Sequence, residues 1–171
     1  MITLNGNAIQ NKGMALFPRK INGKFAMLSR QDGESIFLMY SDNMHFWNDA
    51  VRIVKPKYDW EFMQIGNCGS PIETDRGWLV LTHGVGSFRQ YSIGAILLDI
   101  NDPSRIIGRL SEPMLVSSGV LRDGYVPNVV YTCGCLVHKD KLIVPYSYSD
   151  LRTTISTVDL PRLLQLLQSG E

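Results

Sequence analysis

Short apolar runs recur along the chain, each bounded by Gly, Pro, Asn or Asp, and this pattern predicts β-strands joined by tight turns. Residues 25–29 and 36–40 form the first pair; Asp32-Gly33 between them invites a hairpin turn. Later strands are expected at 77–83, 92–99, 126–131, 134–138, 141–146 and 154–158. Asn22-Gly23, Asp75-Arg76-Gly77 and Lys139-Asp140 each sit between two apolar runs with turn chemistry. Helical spacing is clear only over 160–168, where Pro161 stands in the first turn and Leu163, Leu164, Leu166 and Leu167 follow.

The strands fall into an irregular repeat. One unit spans 21–54 and ends near His45-Phe46-Trp47; a second runs from Trp60 through Trp78 and Tyr91 to Leu115; a third spans 128–158. Units of about 40–60 residues with three or four strands have the size of propeller blades. The expectation is a single all-β domain over 1–171, built as about three blades with a short C-terminal helix. A closed propeller needs about four blades or more, so the ring these units imply is partial.

Composition narrows the function classes. Hydrophobic residues make up 44% and charged residues 19% of 171 positions, which is the balance of a folded globular domain. With 17 basic and 16 acidic side chains the formal net charge is +1. No long basic run occurs, so a nucleic-acid or anionic-membrane partner has no electrostatic support. The first residues lack the basic and apolar regions of a signal peptide, and no apolar run approaches the length of a membrane span. Cys68, Cys133 and Cys135 cannot all pair within one chain, and Cys133 and Cys135 stand two apart in an expected strand. Three scattered cysteines and three distant histidines do not make a metal site. The expectation is buried free thiols in a reducing, cytoplasmic setting.

A longer series of motifs points to a family. Ala15-Leu16-Phe17-Pro18-Arg19-Lys20-Ile21-Asn22-Gly23-Lys24-Phe25, then Trp60-Glu61 with Ile65-Gly66, then Ser70-Pro71-Ile72-Glu73-Thr74 and Gly77-Trp78-Leu79 come in order. His83-Gly84-Val85, Gly94-Ala95-Ile96-Leu97-Leu98-Asp99 and Asn128-Val129-Val130-Tyr131 continue the series. Together they resemble glycoside hydrolase family 130, whose members cleave or phosphorolyse β-mannosides. The resemblance implies a five-bladed propeller with a sugar pocket at the mouth of its channel. It also implies an aspartic acid as general acid, in a Gly-x-x-Asp-Pro-Arg-like motif of the N-terminal blades. Here Asp102-Pro103 is followed by Ser104, so that motif is not matched.

Inverting cleavage needs a proton for the leaving oxygen and a nucleophile on the opposite face. Phosphate is already a nucleophile, so cationic side chains can replace a second carboxylate. The resemblance places Arg30 where phosphorylases carry a His-Arg pair, with Ser29 departing from the histidine. A guanidinium there holds phosphate bidentately; the competing reading is a charge at a strand end. His83 matches a pocket histidine that contacts phosphate, against a satisfied core histidine. Gln64 stands where several phosphorylases have lysine, which weakens the phosphate case and leaves hydrolysis open. Asp150 aligns with an aspartate that touches mannosyl hydroxyls, against a turn or cap residue. Tyr91 and Tyr131 are candidates for stacking on sugar, against aromatic core. Trp47, Trp60 and Trp78 are read as blade packing, and Glu61 and Glu73 as bases only in a hydrolase. The stretch 66–70 lacks the Lys-Ser/Thr completion of a phosphate-binding loop.

The function expected is mannosyl transfer from a β-mannoside to inorganic phosphate as co-substrate, with no metal or organic cofactor. The alternatives are a β-mannosidase-type hydrolase fragment and a non-catalytic carbohydrate-binding or scaffold propeller fragment. The expected partners are β-mannoside oligosaccharides, and either a second copy or a chain that supplies the N-terminal blades.

Overall fold

The computed structural model describes residues 3–169, except for the side chains of Val120 and Leu121. Three antiparallel sheets stack face to face. The first is a meander of β1 (Lys12–Leu16), β2 (Phe25–Arg30), β3 (Ile36–Ser41) and β4 (Ala50–Val54), paired in that order. The second is centred on β7 (Gly77–Val85) and β8 (Tyr91–Leu98). Along one edge β5 (Gln64–Asn67) and β6 (Ile72–Thr74) take successive stretches of β7. Along the other, β9 (Ile106–Arg109) and β10 (Leu115–Val116) share β8. In the third sheet β11 (Val130–Tyr131) and β12 (Leu136–His138) share β13 (Lys141–Tyr148), whose other edge carries β14 (Arg152–Asp159). Helix α1 (Leu160–Ser169) follows at once and turns Leu163, Leu164 and Leu167 into the core between the second and third sheets.

These are three blades of a propeller, and their packing follows from side-chain alternation. All nine residues of β7 are buried, because the middle blade has a neighbour on each face. Trp78 and Val80 face the first blade and meet Phe17, Leu28 and Leu38; Leu79 and Leu81 face the third and meet Leu142 and Val144. A strand buried on both sides reads as one continuous apolar run, which Gly77-Trp-Leu-Val-Leu does. Trp78 stacks edge-on against Phe17 at 5.1 Å between ring centroids and donates its Nε1–H to the Ile100 carbonyl. Trp47 is likewise fully buried, as expected of blade packing.

The turns obey their residues. Asn22 and Gly23 have φ of 50° and 81°, closing the Ile21–Lys24 bridge with the left-handed pair that Asn-Gly favours. Asp32 accepts the backbone N–H groups of Glu34 and Ser35, which tightens the β2–β3 hairpin. Several short strands escape an apolar-run criterion: β1, β4, β5, β6, β9 and β10 have two to five residues each and alternate weakly. The strand expected over 126–131 shrinks to Val130–Tyr131. The one expected over 134–138 begins at Leu136, leaving Cys133 outside a strand, with Gly134 at φ 154° beside it. The cysteine expectation is corrected accordingly. Cys68 is buried, but Cys133 is exposed and Cys135 only partly covered, because the bend at Gly134 breaks the alternation. Among the described residues no helix is long and apolar enough to cross a membrane.

Candidate functional site

Strand ends from all three blades converge at one place. Lys12, opening β1, is the register partner of Arg30, which closes β2. Gln64 opens β5 opposite Val85; His83 lies two positions further along the ladder, opposite Gly66. Tyr91 opens β8, and Tyr131 closes β11. A cavity of ≈ 310 Å³ opens between them. The first blade gives it Lys12, Gly13 and Arg30; the second gives Gln64, Asn67, His83 and Tyr91; the third gives Tyr131. Among the described residues no carboxylate lines it, and the two formal charges they give it, Lys12 and Arg30, are both positive.

Arg30 reaches this cavity because Gly66 has no side chain. A Cβ there would lie 2.5 Å from His83 Cε1, 2.7 Å from Arg30 Cδ and 2.8 Å from Arg30 Nε. The guanidinium crosses that gap and is only 3% exposed. Its Nη2 donates to the Gly33 carbonyl and its Nη1 lies 3.4 Å from His83 Nε2, while Nε has no partner. Among the described residues no carboxylate stands within ion-pair distance of it. Burial draws its pKa below the usual arginine value, against the opposing influence of Tyr131, Tyr91, Asp32 and Cys68. An arginine still stays charged.

His83 is buried between Arg30 and two tyrosine rings. Its ring lies 6.2 Å from that of Tyr91, nearly parallel at 14°, and 5.2 Å from that of Tyr131 at 58°. Burial first, then Arg30 and Lys12, push its pKa down to about 3. It is therefore neutral. A guanidinium only donates, so Nε2 accepts from Arg30, and the ring proton sits on Nδ1 facing Cys68 Sγ at 3.7 Å. Burial, with Cys135 and Cys133 nearby, pushes the Cys68 thiol far above its usual range, so it stays protonated and is no nucleophile.

The depressed His83 pKa has a measurable consequence. Between the ordinary value of 6.5 and about 3, the unfolded chain binds a proton at His83 that the folded chain does not. Stability therefore falls with falling pH across that window, by up to about 1.4 kcal/mol per pH unit from this residue. Denaturant titrations from pH 7 to pH 4 should show that slope, and His83→Gln should flatten it.

Of the residues singled out from sequence, Arg30, His83, Gln64, Tyr91 and Tyr131 share this cavity. Asp150 does not. It lies exposed in the turn after β13 with φ 49°, lining a wider concavity of ≈ 870 Å³ on the third blade. Tyr91 and Tyr131 line both hollows, and Arg89, Tyr146 and Thr153 join Asp150 in the wider one. Glu61 is fully buried, accepting from the Lys57 and Tyr58 backbone and paired with Arg109, so its task is to hold the chain between blades. Glu73 forms a two-point pair with Arg19, half-exposed on the surface. Neither lines the cavity at Arg30. Trp60 covers Gly84 and Gly94 and donates to the Ser111 carbonyl, a packing role. Lys12 and Asn67 are cavity residues that motif reading passes over. Lys12 opens a strand too short to stand out, and Asn67 sits in a Gly-rich stretch tested only as a phosphate-binding loop.

Comparison with known proteins agrees with this architecture. The profile of the glycoside hydrolase 130 family, described as β-1,4-mannooligosaccharide phosphorylase, matches residues 1–169. A 1,2-β-oligomannan phosphorylase of Thermoanaerobacter sp. (strain X514) is 39% identical over 152 residues, which cover 88% of this chain and 51% of that protein. A β-1,2-mannobiose phosphorylase of the same organism is 37% identical over 151 residues, 87% of this chain and 50% of that one. The structure of β-1,2-mannobiose phosphorylase from Listeria innocua with β-1,2-mannobiose superposes with a TM-score of 0.85 at 29% identity. It covers 95% of this chain and 48% of that one. The chain thus spans about half the length of the curated relatives it matches. With the profile covering nearly every residue and the blades superposing on a phosphorylase, the chain belongs to glycoside hydrolase family 130.

Proposed function

We propose that this chain supplies the phosphate-binding side, and part of the mannoside-binding wall, of an inverting β-mannoside phosphorylase. One observation carries the reading: among the described residues, a buried Arg30 guanidinium has no carboxylate partner and an unpartnered Nε, at a cavity lined by no acidic group. A buried charge without a counter-ion is costly, and a fold that keeps one there is built for an anion that arrives with the substrate. Arg30 offers a planar fork suited to two phosphate oxygens, and Lys12 adds a second cation at the cavity rim. Tyr91 and Tyr131 belong both to this cavity and to the concavity of Asp150, which suits a sugar seated beside phosphate.

In the reaction, a phosphate oxygen forms a bond to the mannosyl anomeric carbon as the glycosidic C–O bond breaks. The leaving oxygen takes a proton from a general acid. No residue here is assigned that role; the relatives are about twice as long, and we place the acid in the blades this chain does not contain. Those blades come from a longer form of the protein or from a second chain. Leu136 and Ile155, exposed on the third blade, belong to the face such a neighbour covers. The reading needs phosphate as co-substrate and no metal or organic cofactor.

Gln64 in place of lysine favours hydrolysis as the second reading. Against it, Lys12 restores a cation to the same cavity, and Glu61 and Glu73 are engaged by Arg109 and Arg19. Calorimetric titration with inorganic phosphate, with chloride at matched ionic strength as control, tests the anion site. Saturable phosphate binding at one site per chain is expected; no binding up to tens of millimolar would end the reading.

A further inference from the structure

Asn67 is a cavity residue whose amide is half committed. It lies in β5, 5% exposed, and lines the cavity that holds Arg30 and Lys12. Its Nδ2 points at two backbone carbonyls, Gly13 at 3.1 Å and Gly69 at 3.4 Å. Two carbonyls can be served only by the nitrogen end of the amide, so its orientation is fixed by its neighbours. The other end, Oδ1, is buried and has no partner. A buried acceptor without a donor is costly, and the two charged side chains that line the same cavity, Arg30 and Lys12, only donate.

We infer that Asn67 Oδ1 accepts a hydrogen bond from a P–OH group, making the cavity selective for a protonated oxyanion. The inference rests on the anion-site reading above. Arg30 and Lys12 attract any tetrahedral anion through charge and N–H donors, and that alone would not separate phosphate from sulfate. The carbonyl oxygen of Asn67 supplies the difference. Inorganic phosphate keeps at least one O–H at neutral pH and satisfies the acceptor. Sulfate has none, so it sets an unprotonated oxygen against Oδ1, and both lone-pair repulsion and an unmet acceptor count against it. Sites built around a hydrogen bond reject analogues lacking it far more strongly than sites built on shape alone.

Monofluorophosphate isolates the effect, since it has the shape and charge of hydrogenphosphate but fluorine where the O–H would be. The experiment titrates the full chain with phosphate, monofluorophosphate and sulfate at pH 7 and one ionic strength. Phosphate is expected to bind about tenfold or more tightly than either analogue. Asn67→Ala should bring phosphate down towards sulfate while leaving sulfate as it was or tighter. The wild-type series decides the matter even if that variant fails to fold. Equal binding of all three anions would overturn the role of Asn67 and leave the anion site standing. Binding of none would remove both.

Discussion

Arg30→Met is expected to remove phosphate binding and yet make the protein more stable. Arg30 is 3% exposed, has no carboxylate within ion-pair distance among the described residues and leaves its Nε unpartnered. Replacing a poorly compensated buried ion with an apolar side chain of similar length is neutral or stabilising, here by about 1 kcal/mol or more. The loss in phosphate affinity should reach about a hundredfold, as expected when the main charge-assisted donor to a desolvated anion goes. A residue kept for packing would lose stability on substitution and leave binding alone. The opposite signs separate the two roles. Thermal unfolding without phosphate and calorimetry with it supply both readings on one preparation. A variant that is less stable and still binds phosphate would assign Arg30 to the scaffold.

Gly66→Ala should damage the same site from the other side. Its new methyl group would meet His83 Cε1 at 2.5 Å and Arg30 at 2.7 and 2.8 Å, distances that force the side chains apart. Crowding of this kind costs about 1–3 kcal/mol of stability. Because Arg30 must move away from Gly66 to relieve it, phosphate affinity should also fall, by about tenfold or more, the worth of one charge-assisted hydrogen bond. Denaturant midpoints together with phosphate titration check this. Unchanged affinity would mean that the Arg30–His83 arrangement does not matter to the anion.

The blades were legible because their long strands carry strong patterns. β7 announces itself as a fully apolar run, and Asn22-Gly23 and Asp32-Gly33 mark turns that the backbone adopts. The short inner and outer strands were not legible, since two to five residues held by neighbouring chains need little apolar pattern of their own. Family resemblance pointed to Arg30, His83 and Gln64, and motif with chemistry to Tyr91 and Tyr131; all five meet in one cavity. Asp150 falls in a neighbouring hollow because a left-handed turn at Ser149 and Asp150 carries it past the blade edge. Lys12 matters through its pairing with Arg30, 18 positions on in the same blade, and Gly66 and Asn67 through contacts across blades, with Arg30 and Gly13, 36 and 54 positions away. A linear reading has no access to those contacts.

We propose that these blades bring phosphate to a mannoside and do not by themselves complete the catalyst. This is tested most directly by following β-1,2-mannobiose, with and without phosphate, on this chain alone and on a fusion carrying the N-terminal half of a family relative. Phosphorus and proton NMR would read the products. Mannose 1-phosphate of inverted anomeric configuration is expected from the fusion, formed only when phosphate is present, with no turnover from the chain alone. Ordinary turnover by the chain alone, or free mannose released by the fusion at a rate indifferent to phosphate, would contradict the proposal.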